Sequence, residues 1–189
     1  MPPSRTAKKK PGNRAAAPAL LARVNEQVTL EVYGDGKVGA YVDGYAIELG
    51  HIGPGSVKRA RGFAEGLPVA SFSPARKPAD REIELLARRL ARSGFLEYRL
   101  VLPHGGALAA IEPQIPDYWP QVAKLGNSDR IALSRFAYLR RRGNDLVLES
   151  PRAPALFRFT DPKLATAILA LSTPQKMAAL RREKNFVGL

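Results

Sequence analysis

The sequence predicts an α+β fold of tandem winged helix-turn-helix-like units, each a three-stranded antiparallel meander plus helices. Three observations carry this. Short runs of alternating apolar and polar residues are separated by Asp-Gly-type turns, which is the pattern of half-buried strands joined by hairpins. An amphipathic helix follows each set of strands. The pattern then returns, with Gly36 to Asn144 and Pro54 to Pro162 both separated by 108 positions.

Taken in order, residues 1–26 read as a basic flexible tail. Arg5, Lys8, Lys9, Lys10 and Arg14 lie among Pro2, Pro3, Pro11 and Gly12, with no acid before Glu26. Such a stretch cannot bury enough apolar surface to fold alone. The first unit covers 27–112. Val28, Leu30 and Val32 alternate with Thr29, Glu31 and Tyr33, Asp35-Gly36 turns, Val38–Val42 returns, and Tyr45–Leu49 follows after Asp43-Gly44. Pro54 suits a first helical turn, and the helix runs over Ser56–Ala64 until Gly66 stops it. A stronger helix runs from Arg81 to Ser93 with Asp80 as its N-cap, because Ile83, Leu86, Ala87, Leu90 and Ala91 form one apolar stripe. Phe95–Leu102 and Leu108–Glu112 then form a hairpin around His104-Gly105-Gly106, with Glu97 and Arg99 on its solvent side.

Residues 113–130 read as a Pro-rich connector that packs Tyr118 and Trp119 against a neighbour. The second unit covers 131–189. Its strands are Phe136–Arg141, Leu146–Glu149 and Ala155–Thr160, followed by a helix that Asp161 caps and Pro162 opens. A counterpart of the Arg81 helix would begin near residue 187, where the sequence given stops. The expectation is therefore either a reduced second copy or the front part of a longer protein.

Composition narrows the functions. Thirty Lys and Arg against seventeen Asp and Glu give a net charge of +13, which favours nucleic acid, an anionic surface or an acidic partner. With no cysteine and only His51 and His104, thiolate chemistry, Cys-ligated metal and multi-histidine metal sites are excluded. No apolar run reaches the roughly 20 residues of a membrane span, so no membrane partner is expected and a cytoplasmic location is the default.

The stretch from Leu133 to Gly143, with Asp145–Pro151, Phe159-Thr160-Asp161-Pro162 and Phe186-Val187-Gly188-Leu189, resembles the N-terminal region of SagB-type azoline (thiazoline/oxazoline) dehydrogenases. The resemblance is best over residues 130–189. It implies a flavoprotein system that oxidises azolines in ribosomally made peptides. FMN would be held by a nitroreductase-like domain that this sequence lacks, so no catalytic or flavin residue carries over. What the resemblance implies for this segment is docking of a precursor (leader) peptide or of other synthetase subunits, with no cofactor of its own.

The residues themselves offer no catalytic constellation. Gly50–Gly55 matches neither dinucleotide nor P-loop spacing, and neither histidine has a paired acid in sequence. The candidate docking residues are Tyr45, Ile47 and Leu49 on a strand edge and Arg81, Arg88, Arg89 and Arg92 on the adjacent helix. Together they would receive an acidic leader segment as an added strand. The alternative is a tandem winged-helix DNA-binding protein whose helix arginines reach phosphates. A homo-oligomer is compatible with either.

Overall fold

The computed structural model describes residues 17–72, 77–103 and 105–183. The elements in chain order are β1 (Ala19–Val24), β2 (Val28–Val32), β3 (Lys37–Val42), β4 (Tyr45–His51), α1 (Pro54–Arg61), β5 (Leu67–Pro68), α2 (Pro78–Arg92), β6 (Leu96–Val101) and β7 (Ala107–Pro113). They continue with β8 (Arg130–Ile131), β9 (Tyr138–Arg142), β10 (Asp145–Glu149), β11 (Ala155–Phe159), α3 (Pro162–Leu169), β12 (Gln175–Lys176) and α4 (Met177–Leu180). The mixed α+β class holds. Every pairing between strands is antiparallel.

The tandem winged-helix topology does not hold, and β1 is the reason. Leu20, Ala22 and Val24 alternate with Leu21 and Arg23, but an Ala-rich, basic approach hides this period, so composition places the strand in the tail. In the structure β1 runs beside β6 along its whole length, from Ala19 opposite Val101 to Val24 opposite Leu96. The β6–β7 hairpin is thereby taken into one seven-stranded sheet, ordered β5-β1-β6-β7-β11-β10-β9, and is not a separate wing. The meander β2-β3-β4 forms its own three-stranded sheet, whereas the meander β9-β10-β11 continues the large one. The rest of the basic tail, residues 1–16, lies outside the described residues, as does His104.

The order of elements nevertheless recurs. Pro54 opens α1 and Pro162 opens α3, each helix has eight residues, and each is followed by a single 3-10 turn, at Gly62–Ala64 and Ala170–Ser172. Two-residue strands follow at Leu67–Pro68 and Gln175–Lys176, 108 positions apart. Asp161 caps α3 as expected, its carboxylate accepting the Lys163 amide at 2.8 Å.

The main core lies between the three-stranded sheet, the first half of the large sheet and α2. Ile83, Leu86, Ala87, Leu90 and Ala91 are all buried there, which confirms the apolar stripe. The helix starts earlier than its Asp80 cap suggests. Pro78 stands in its first turn, and Asp80 pairs with Arg59 of α1. The connector packs as its aromatics suggest: Trp119 meets Phe72 and Tyr98 edge-on, and Tyr98 donates its hydroxyl to the Tyr118 carbonyl at 2.8 Å.

The expectation that Glu97 faces solvent is overturned. Glu97 is 4% exposed, and the guanidinium groups of Arg99, Arg23 and Arg158 stand 2.7, 3.5 and 3.9 Å from its carboxylate. Sheet register explains this. Arg23 of β1 lies directly opposite Glu97, and Arg158 arrives from β11, a neighbour that exists only because the second meander joins the sheet. Glu112 and Asp145 complete the network by accepting from Arg158 at 2.8 and 3.1 Å. Burial acts to raise the Glu112 carboxyl, but hydrogen bonds and charge from Arg142 and Arg158 outweigh it and hold the group below the usual carboxylate range.

Candidate peptide-docking edge

The four outer edges of the two larger sheets are treated differently. An open edge exposes unpaired amides and carbonyls and invites another chain, so proteins usually block it. The β5 edge is two residues long and contains Pro68. The β9 edge carries Arg140, Arg141 and Arg142 in succession. The β2 edge is covered by α1, whose Arg61 guanidinium donates to the Val32 carbonyl at 3.1 Å. On the β4 edge, Arg89 reaches the Leu49 carbonyl and the register shifts at Val38/Gly39, but these devices stop short of Tyr45–Glu48. Tyr45, Ala46, Ile47 and Glu48 are all exposed, Tyr45 to 73%, although alternate residues point to opposite faces of the sheet.

Register sets which way those side chains point. Ile47 lies opposite Ala40 and Tyr45 opposite Val42, on the face that turns toward α2, while Ala46 lies opposite Tyr41 on the outer face. Leu49 is buried, and its carbonyl accepts from Arg89 Nη1 at 2.6 Å. This contact ends the open stretch. Gly50 stands beside it at φ +111°, and a Cβ there would strike the Arg89 guanidinium.

Helix α2 supplies the facing wall. Arg81, Leu85, Arg89 and Arg92 fall about a turn apart; Leu85, Arg89 and Arg92 line depressions with Ile47, Glu48 and Leu49, whereas Arg81 and Leu85 line another at the start of the helix. The depression between the β4 edge and the end of α2 has a volume of about 480 Å³. Arg81 is exposed, and the Arg92–Asp117 pair at 3.4 Å joins two exposed side chains, so it does little to remove Arg92 from solvent.

Of the residues named from sequence, Arg81 lines a separate depression with Lys77, Glu82 and Leu85, and Tyr45 lies exposed at the start of the edge, whereas Ile47, Leu49, Arg89 and Arg92 border this groove. Arg88 does not. Its guanidinium lies over the Trp119 ring, 4.0 Å from the centroid, on the side of α2 that faces the connector. The residues that sequence reasoning missed are Leu85 and Glu48. Leu85 sits four positions after Arg81 and four before Arg89, outside the apolar stripe, which is the signal that could have found it.

The groove is held by a long-range cap. Helix α1 has no side-chain cap of its own at Gly53. Instead Glu82 of α2 accepts the Gly53 amide at 2.9 Å and the Ser56 hydroxyl at 2.6 Å. The Ser56 bond, then the Gly53 amide, lower the Glu82 carboxyl from its ordinary value of 4.5, against a smaller opposing effect of burial. Because the folded value is depressed, this interaction stabilises the fold above the ordinary value and is lost as pH falls through the folded one. Glu82→Gln is expected to cost about 1 kcal/mol at pH 7. The difference from wild type should shrink in acid, as measured by urea unfolding across pH.

The arginines that would reach DNA phosphates are mostly engaged within the fold: Arg59 with Asp80, Arg61 with the Val32 carbonyl, Arg88 with Trp119 and Arg89 with the Leu49 carbonyl. These contacts leave fewer helix arginines free for phosphates, and nothing among the described residues gives evidence of DNA binding. His51 Nε2 donates to the Asp35 backbone carbonyl at 2.7 Å, a contact that holds the turn. Among the described residues no three carboxylates or histidines gather as a metal site. A cleft of about 500 Å³ beside Glu97 and Arg158 is lined mainly by polar and charged groups, and carboxylates already pair with its Arg142 and Arg158 guanidinium groups. Among the described residues no helix is long and apolar enough to cross a membrane.

Against known families, residues 131–188 match the family described as cyanobactin oxidase ThcOx. No curated protein matches the chain. The matched stretch is the C-terminal part of the chain, the second copy of the repeat, so the resemblance to the N-terminal region of SagB-type azoline dehydrogenases is corrected accordingly. What stands is a distant link to a SagB-like family associated with modification of ribosomally made peptides.

Proposed function

We propose that the chain docks an extended peptide, a precursor segment destined for modification, as an antiparallel strand on β4 beside α2. The reading supplies binding and placement, and the oxidation belongs to chemistry carried elsewhere, with FMN as the cofactor that a SagB-like relative would use. The observation that carries it is that, among the described residues, Tyr45–Glu48 on the β4 edge are exposed and pair with no outer strand, whereas the other outer edges are short, arginine-rich or packed by α1.

The repeat adds a second line of support. In the second meander the third strand, β11, has its outer edge filled by β7 in antiparallel register, Phe157 opposite Ile111 and Phe159 opposite Ala109. Among the described residues its counterpart β4 pairs with no strand in that position, which supports reading that edge as the place for an added strand. Docking a partner subunit through one of its own extended segments would use the same edge.

A fluorescein-labelled octapeptide, Leu-Ser-Glu-Ser-Leu-Ser-Glu-Ser, tests this by anisotropy with the full chain. Saturable binding that persists at 150 mM salt is expected. Binding that vanishes when charge is screened, or that a scrambled peptide reproduces, would reduce the interaction to attraction by a +13 protein.

A further inference from the structure

The two faces of β4 differ in charge. On the side of α2 the edge meets Arg89 and Arg92. On the outer side it meets Glu48, with Tyr41 and Tyr33 behind it and Glu31 and Asp35 close by. The outer depression measures about 420 Å³, and Ile47 and Glu48 border it as well as the depression on the helix side. Two hollows of opposite character therefore meet along one strand edge.

The outer hollow is an unusual place for acidic charge on so basic a chain. Tyr33 donates its hydroxyl to the Glu31 carboxylate and lies 3.2 Å from the Tyr41 hydroxyl, and the Glu31 bond, followed by the Tyr41 contact, pushes the Tyr33 phenol upward. Tyr33 and Tyr41 are both more than a third exposed, giving aromatic faces that attract cations. Lys37 reaches Glu48 at 3.5 Å, but both side chains are more than half exposed, and such a pair is readily exchanged.

An added strand presents alternate side chains to opposite faces. We infer that the β4 edge selects a peptide of alternating charge, with acidic or apolar residues toward α2 and lysine or arginine toward Glu48 and the tyrosines. This rests on the docking proposed above and specifies its ligand. It also gives register: a slip by one residue places every side chain against the wrong charge.

The test replaces the serines of the octapeptide by lysines, giving Leu-Lys-Glu-Lys-Leu-Lys-Glu-Lys. That peptide is more cationic, so attraction to a basic protein alone would weaken it. Tighter binding, about fivefold, is expected from cross-strand pairing with Glu48. Glu48→Lys should abolish that preference, read as the ratio of lysine-peptide to serine-peptide affinity within the variant compared with the same ratio in wild type. A lysine peptide that binds no better than the serine peptide, or a gain that survives Glu48→Lys, overturns the charge code while docking stands. Failure of the serine peptide itself overturns docking instead.

Discussion

Replacing Glu97 by alanine is expected to destabilise the chain by about 3–5 kcal/mol, because three arginines would lose the carboxylate around which they converge. In a protein of this size that corresponds to a fall in Tm of roughly 10 °C. The size of the effect follows from burial and topology together. Arg23, Glu97 and Arg158 belong to β1, β6 and β11, so the carboxylate links the tail-derived strand, the hairpin and the second meander. Glu97→Gln keeps the shape and half the hydrogen-bonding capacity and should be milder. A single cooperative transition should persist in wild type, and calorimetry on both variants reads the effect. A Tm unchanged by Glu97→Ala would mean that solvent already screens the cluster.

The second large effect concerns binding. Arg89→Glu together with Arg92→Glu is expected to weaken the serine octapeptide about tenfold or more, since both guanidinium groups border the groove that its acidic side chains would enter. Arg88→Glu is the informative control. It makes the same charge change as either groove substitution alone, on the same helix, but Arg88 stacks on Trp119. It should therefore lower stability slightly and leave affinity close to wild type. Equal loss from Arg88→Glu and from either groove arginine would indicate attraction by overall charge, without a defined site.

Much of this was legible in the sequence, and the parts that were not share a cause. The strands, the Asp35-Gly36 turn at φ +96°, the Pro54 and Pro162 helix starts and the apolar stripe of α2 are local signals, and the structure contains each of them. The spacing of 108 between Pro54 and Pro162 also marked the recurring order of elements. What local signals could not give was pairing between strands distant in sequence. Nothing near Ala19 announces that it will lie against Val101, and nothing near Glu97 announces Arg158. The wing of the expected winged-helix topology was lost for that reason, and Glu97 moved from solvent to interior with it. Arg88 shows the same limit on a smaller scale. Its helical position placed it among the groove arginines, but Trp119, thirty-one positions later, settles where its guanidinium lies.

The groove itself was read from Tyr45–Leu49 and the Arg81 helix because a hairpin's last strand followed by an amphipathic helix places the two side by side. Which edge stayed open required the sheet order. Charge polarity across β4 was less visible still, since it depends on Glu31, Asp35 and Glu48 converging through register and turns on one face.

The central claim is that a peptide joins the β4 edge, and amide hydrogen exchange with and without the serine octapeptide tests it most directly. Added protection is expected at Tyr45–Leu49, with perturbation along Leu85–Arg92 and little change at Tyr138–Arg142. Protection confined to the β9 edge, or absent at β4 while the peptide is bound, would contradict it.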